Sequence, residues 1–157
     1  MTQEIWKDVV GYEGLYQVSN LGRVKSLKRT CIGKNGVIVF TDEKIKDAID
    51  NGRGYLSVSL YKDNKQSNKY VHRLVAESFI LNPYDYPCVN HKDEDKRNNK
   101  ASNLEWCTYH YNNTYGSAKE RFSKTYRKNA KTMKKYINIL LMVNLSLSIS
   151  AVERQKE

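Results

Sequence analysis

Acidic residues are scarce in this chain: 17 Asp and Glu stand against 27 Lys and Arg over 157 residues, leaving a formal charge of +10 and a pI near 9.4. That imbalance suits a polyanionic partner, nucleic acid first. An anionic membrane surface would need a basic amphipathic helix with bulky apolar residues opposite its charges, and no stretch is rich enough in them. Cysteine is also scarce. Cys31, Cys88 and Cys107 are odd in number and scattered, which argues against a disulfide framework and for a reducing compartment. No run is apolar enough to cross a bilayer, since the stretch from Ile137 to Ile149 is interrupted by Asn138, Asn144, Ser146 and Ser148. The first residues contain no apolar segment of a secretion signal, and there is no internal repeat or low-complexity tract. Phe is rare where Tyr is common, at 3 against 12, and most of these Tyr read as half-buried strand residues.

What the chain does contain divides into four stretches. Residues 1–70 read as a β-rich module. Gly11-Tyr12-Glu13-Gly14 and Ser19-Asn20-Leu21-Gly22 are turns, and Arg23-Val24-Lys25-Ser26-Leu27 alternates basic and apolar residues at period two. Arg23 and Lys25 are thereby candidates for phosphate contacts. Lys28 to Asp50 reads as a loop with a strand around Val37 to Phe40. Tyr55 to Tyr61 alternates as a half-buried strand, and Lys62 to Asn68 reads as a polar hairpin loop.

Residues 71–116 begin with a predicted helix, in which Val71, Leu74, Val75, Ser78 and Phe79 recur at helical spacing until Asn82-Pro83 closes it. His72 on that helix has no partners at metal-ligand spacing and reads as structural. A strand ending at Asn90-His91 follows, then a charged loop, a second strand from Leu104 to Cys107, and a short helix capped by Thr108 and stopped by Gly116. A basic helix is predicted over 117–136, opened by Ser117 and Glu120 as a capping box. It carries Lys119, Arg121, Lys124, Arg127, Lys128 and Lys131, which we expect to contact DNA because no acid other than Glu120 offsets them. Residues 137–157 form a tail of different composition.

Strand, loop, strand and helix would bring Asn90, His91 and Asn112 to one side of a single unit. Phosphodiester hydrolysis needs a base for water, a divalent ion to neutralise the phosphate, and a group that holds the base in its tautomer. An imidazole suits the first role, so His91 is the candidate base. The amide oxygens of Asn90 and Asn112 suit a hard cation, Mg²⁺ or Mn²⁺, that completes its shell with water and phosphate. Asn103 can brace the loop and orient the imidazole, while Asp93, Glu94 and Asp95 read as solvated. A structural zinc site is a competing reading, because Cys88 and His91, like Cys107 and His110, are spaced for ligation. A DNA-binding protein without catalysis is another, since the same charges serve it equally.

Val89-Asn90-His91-Lys92-Asp93, Asn98-Asn99, Asn103-Leu104-Glu105-Trp106-Cys107-Thr108 and Asn112 together resemble the HNH nucleases of the ββα-metal class, phage and intron homing endonucleases in particular. Ile5 to Asp8 with Gly11 to Val24 resembles the nuclease-associated DNA-binding module fused to such units, and Val71 to Ala76 resembles the helix preceding their motif. The resemblance covers about residues 4 to 116. It implies an α+β fold and a metal-dependent DNA endonuclease that nicks one strand of double-stranded DNA as a monomer, away from membranes, in the host cytoplasm if phage-encoded. It also implies His91 as general base, Asn103 as the motif's structural asparagine, and Asn90 and Asn112 as metal ligands. Some relatives have a carboxylate at the position of Asn90, so its neutral amide implies weaker metal affinity. Glu94 stands where Gly is common, at a turn that needs positive φ. Ser148 to Arg154 resembles the start of a helix-turn-helix module cut short.

Overall fold

The computed structural model describes residues 3–32 and 36–153. Residues 1–112 form one compact unit and residues 113–157 a second.

The first unit is a set of small antiparallel sheets around one helix. β1 (Trp6–Asp8), β2 (Tyr16–Ser19) and β3 (Val24–Ser26) join a short β6 (Lys44–Ile45) in the order β1-β2-β3-β6. Between them, β4 (Arg29–Ile32) and β5 (Ile38–Thr41) form their own hairpin, so a strand stands at Arg29 to Ile32 where the polar composition predicts a loop. β7 (Ile49–Asp50), β8 (Leu56–Lys62) and β9 (Lys65–Tyr70) make a three-stranded sheet. β9 runs through residues that read as loop, because its turn is only Asp63 and Asn64, both left-handed at φ 51° and 58°. Two such residues match the twist of a tight hairpin, and the exposed Lys65-Gln66-Ser67-Asn68 carries no apolar alternation to betray it.

α1 (Val71–Phe79) lies where helical spacing predicts it and buries Val71, His72, Leu74, Val75 and Ala76. One core takes in Val9 just after β1, Tyr16, Val18 and Val24 from the first sheet, Val58 and Leu60 from β8, α1, and Val89 and Leu104 further on. The core therefore runs without a break across residue 70. Tyr16 is buried whole, and its phenol oxygen accepts from the Tyr61 amide at 3.0 Å and from Arg29 at 3.2 Å. β10 (Cys88–His91) and β11 (Leu104–Cys107) pair with Asn90 opposite Glu105 and His91 opposite Leu104. α2 (Tyr109–Thr114) follows, with the Thr108 hydroxyl accepting from the Tyr111 amide at 3.1 Å as a cap.

α3 (Ala118–Glu153) is a single helix of 36 residues. It runs on beyond the basic stretch that ends at residue 136, and through Ser148 to Glu153, so no separate helix starts there. Arg154 lies outside the described residues. No helix among the described residues is long and apolar enough to cross a membrane.

Candidate active site

The loop between β10 and β11 is held by Asn103 and Asp93. Asn103 Oδ1 accepts from the Asp93 amide at 3.2 Å, its Nδ2 donates to Asp93 Oδ1 and to the Asn98 carbonyl, each at 2.8 Å, and its own carbonyl accepts from Lys92 at 2.8 Å. The Asp93 carboxylate also accepts from Asn98 Nδ2 and from the Asp95 amide. These bonds, those to Asn98 and Asn103 first, hold its carboxyl below the usual range. Asp93 is thus the hub of the loop while its side chain stays exposed, as its position in an acidic run suggests. Glu94 does adopt the left-handed conformation, at φ 63°.

His91 is 5% exposed, and its imidazole is oriented by Asn99, a role the sequence pattern assigns to Asn103. His91 Nε2 lies 3.1 Å from Asn99 Oδ1, while Asn99 Nδ2 donates to the Arg97 carbonyl at 3.3 Å. A carbonyl can only accept, so the amide nitrogen of Asn99 must face Arg97 and its oxygen must face the imidazole. In the neutral ring Nε2 then carries the proton and Nδ1 keeps the lone pair. Asn99 is itself buried, and nothing in its local sequence distinguishes it from Asn98.

Asn99 is tied in turn to the N-terminal module. Gly22 has φ +85°, and a Cβ there would stand 2.9 Å from Asn99 Cβ and 3.0 Å from its carbonyl oxygen. Beside this close approach the Ala101 amide donates to the Asn20 carbonyl at 2.8 Å. Gly22→Ala should therefore cost roughly 1–3 kcal/mol of stability and displace Asn99 from His91. Gly11→Ala is the control, because Gly11 has φ +79° but open space around it, leaving the dihedral cost alone. Thermal melts and the nuclear magnetic resonance signals of the His91 imidazole in the two variants separate strain from displacement.

Asn90 and His91 are neighbours on an extended strand, and their side chains find different partners. Asn90 Nδ2 donates to Glu105 Oε1 at 2.8 Å. His91 instead meets an aromatic group, its ring 5.2 Å from that of His72 and 6.2 Å from that of Tyr55, with Tyr70 stacked on His72 at 5.5 Å. His72 is buried, its Nδ1 has no hydrogen-bond partner, and burial first, then His91 and Arg73, pushes its pKa down to about 3. The residue that reads as structural thus sits against the candidate base.

Asn112 lines a cavity of about 230 Å³ together with His72, Arg53, Arg73, Tyr55 and Cys88. Neither guanidinium makes a salt bridge among the described residues. Lys96 adds charge nearby, reaching the Arg53 carbonyl at 3.0 Å and lying 4.5 Å over the Tyr55 ring.

The donors suit a hard cation. With Asn90 Nδ2 directed at Glu105, its Oδ1 is the end left for a metal, while Asn112 carries its amide on the wall of the cavity beside His72. Zinc fits poorly. Among the described residues no three His, Cys, Asp or Glu gather as a metal-holding group, and burial pushes the Cys107 thiol up to about 11, away from the thiolate that zinc requires.

The candidate DNA contacts differ in setting. Arg23 pairs with Glu4 and lies over Trp6, and the Lys25 side chain is 15% exposed, 3.2 Å from Glu43 and 4.7 Å from the Trp6 ring. Their charges are met locally. Lys119, Arg121, Lys124, Arg127, Lys128 and Lys131 are all exposed on α3. At about 100° per residue, Lys124, Arg127, Lys128, Lys131, Lys134 and Lys135 fall within about 120° of its circumference.

Residues 4–61 match the NUMOD4 motif. DNA endonuclease I-HmuI of Bacillus phage SP01 is 39% identical over 107 residues, spanning 68% of this chain and 54% of that protein. An uncharacterised HNH endonuclease of Acanthamoeba polyphaga mimivirus is also 39% identical over 107 residues, spanning 68% of this chain and 28% of its own. The solved structure of DNA binding and cleavage by the HNH homing endonuclease I-HmuI superimposes with a TM-score of 0.53 at 32% identity, covering 83% of this chain and 66% of the other. The chain thus spans about half the length of I-HmuI.

Proposed function

We propose that this homologue of the HNH homing endonucleases is a DNA endonuclease that hydrolyses one strand of a duplex with the help of one divalent cation, Mg²⁺ or Mn²⁺. The observation that carries the reading is the hydrogen bond between His91 and Asn99: with the Asn99 amide nitrogen directed at the Arg97 carbonyl, its oxygen faces Nε2, which leaves Nδ1 as the proton acceptor.

The chain's own groups divide the work. His91 Nδ1 takes the proton of the attacking water. Arg53 and Arg73, on the cavity wall beside His72, hold the phosphate with charge that no acid among the described residues meets. The carbonyl oxygens of Asn90 and Asn112 would hold the cation. When bound, that ion neutralises charge on the phosphate and on the departing oxygen. Asn103 and Asp93 position this group by keeping the loop closed, without touching the reacting atoms. One such site per monomer cuts one strand per binding event.

The test is conversion of supercoiled plasmid to nicked circle with Mg²⁺ or Mn²⁺, and its loss with EDTA. A protein that binds DNA and leaves it intact with either metal refutes the proposal. The same outcome establishes the rival reading, a DNA-binding protein without catalysis.

DNA is held largely by α3. Lys128→Gln with Lys131→Gln should flatten the dependence of log affinity on log salt by about 0.9 for each phosphate no longer neutralised, or nearly 2 for the pair. Arg23→Gln should leave the slope almost unchanged, because Glu4 already engages Arg23. Fluorescence anisotropy on a labelled duplex from 50 to 200 mM salt, roughly the range over which phosphate contacts dominate, measures both.

A further inference from the structure

We propose that Glu105 is a positioning residue for the metal: it fixes the Asn90 amide so that only its oxygen faces the cation, and it supplies from behind the negative charge that the neutral amide lacks. The inference rests on the metal-dependent reading above.

Asn90 and Glu105 are directly opposed in the β10–β11 pair, their side chains meet at 2.8 Å, and Asn90 is 6% exposed. An asparagine amide has two ends of nearly equal shape, one a donor and one an acceptor, and only the acceptor end ligates a cation. Left to itself the group can present either. A carboxylate accepts and does not donate, so reversing the Asn90 amide would set its oxygen against Glu105 oxygen at the distance now closed by an N–H. That arrangement is repulsive where the present one is a charge-assisted hydrogen bond.

The same bond polarises the amide. Negative charge beside Nδ2 draws electron density toward Oδ1 and strengthens it as a ligand, as partners behind a metal ligand commonly do. Asn90 and Glu105 together then act as a carboxylate ligand divided between two strands, the donor atom on one and the charge on the other. Asn90 is buried and Glu105 half-buried, so water reaches the pair from the Glu105 side only. Glu105 also explains how a chain with an amide at this position can keep a working metal site.

The test is direct binding of Mn²⁺, followed by the electron paramagnetic resonance of the free ion. It uses the full chain with a short duplex, and His91→Ala stands in every protein so that the DNA is not consumed. Duplex alone is subtracted. Glu105→Gln should raise the Mn²⁺ dissociation constant about tenfold, the lower end for loss of a partner behind a ligand, because a glutamine can face either end of the Asn90 amide and carries no charge. The exchanged pair Asn90→Asp with Glu105→Gln should recover the tighter binding, with a carboxylate ligand held by an amide donor. It should also bind more tightly than Asn90→Asp alone, in which two carboxylates oppose each other. That comparison does not need the Glu105→Gln single variant to fold. Glu105→Gln binding Mn²⁺ as tightly as its parent overturns the role of Glu105 and leaves the metal-dependent reading standing. An exchanged pair no tighter than Asn90→Asp alone overturns it equally, and a parent that takes up no Mn²⁺ overturns both readings together.

Discussion

His91→Ala should reduce plasmid nicking by at least about 10²–10⁴-fold, the range for loss of a positioned general base, while duplex binding by the exposed cations of α3 is retained. The imidazole is the one group at the site whose tautomer is fixed by a chain of hydrogen bonds, from the Arg97 carbonyl through the Asn99 amide to Nε2. Alanine removes the acceptor without removing Arg53, Arg73 or the candidate metal oxygens. Initial rates on supercoiled plasmid, with anisotropy on the same preparations, separate chemistry from binding. A variant that nicks as fast as its parent would mean that another group activates the water. Asn99→Ala should give a smaller loss, because the ring would remain present but free to turn.

The second large effect is on stability in acid. His72 is buried with its Nδ1 unpartnered, and its pKa is pushed down to about 3 from an ordinary value of 6.5. Above pH 6.5 both the folded and the unfolded chain hold this imidazole neutral, so it imposes no penalty through protonation. As pH falls below 6.5 the unfolded chain takes up the proton and the folded chain does not, and stability declines by about 1.4 kcal/mol per pH unit for one such group. Between about pH 6.5 and 4.5 the loss approaches roughly 3 kcal/mol, or about 100-fold in the folding equilibrium. Urea melts across that range should show it in the parent. His72→Phe keeps a planar ring against Tyr55, Tyr70 and His91 and should flatten most of the decline. A further decline should set in below about pH 4.5 in both proteins, because Glu4, Asp50 and Asp93 are held below their ordinary values of 4.5, 3.8 and 3.8 by hydrogen bonds that acid removes. A His72→Phe profile that declines as steeply as the parent's would place the acid sensitivity elsewhere.

Both effects involve groups whose importance depends on neighbours distant in sequence. His91 is legible as a candidate base because an Asn-His pair ending a short apolar strand, with Asn103 and Asn112 behind it, is a local arrangement. Asn99 is not, since its value comes from lying 3.1 Å from His91 with Gly22 packed on its backbone. His72 looks structural for the same reason. Its helical position is readable from the spacing of Val71, Leu74 and Val75, but the ring of His91, 5.2 Å away, arrives from a different strand. Asp93 reads as solvated because it sits in an acidic run, and it is exposed, but its bonds to Asn98 and Asn103 are visible only once the loop is closed.

Composition and local pattern alone determined the basic balance, α1, the strand pair with its following helix, and the exposed cationic stretch on α3. These follow from charge and from periods of two and 3.6 residues, which act within a few residues of one another. Tertiary structure decided the rest. It chose which amide orients His91, placed Glu105 behind Asn90, met the charges of Arg23 and Lys25 with Glu4 and Glu43, and set Arg53 and Arg73 on one cavity. Hydrogen bonds and ion pairs act over about 3 Å, and sequence spacing does not state which strands will be brought that close.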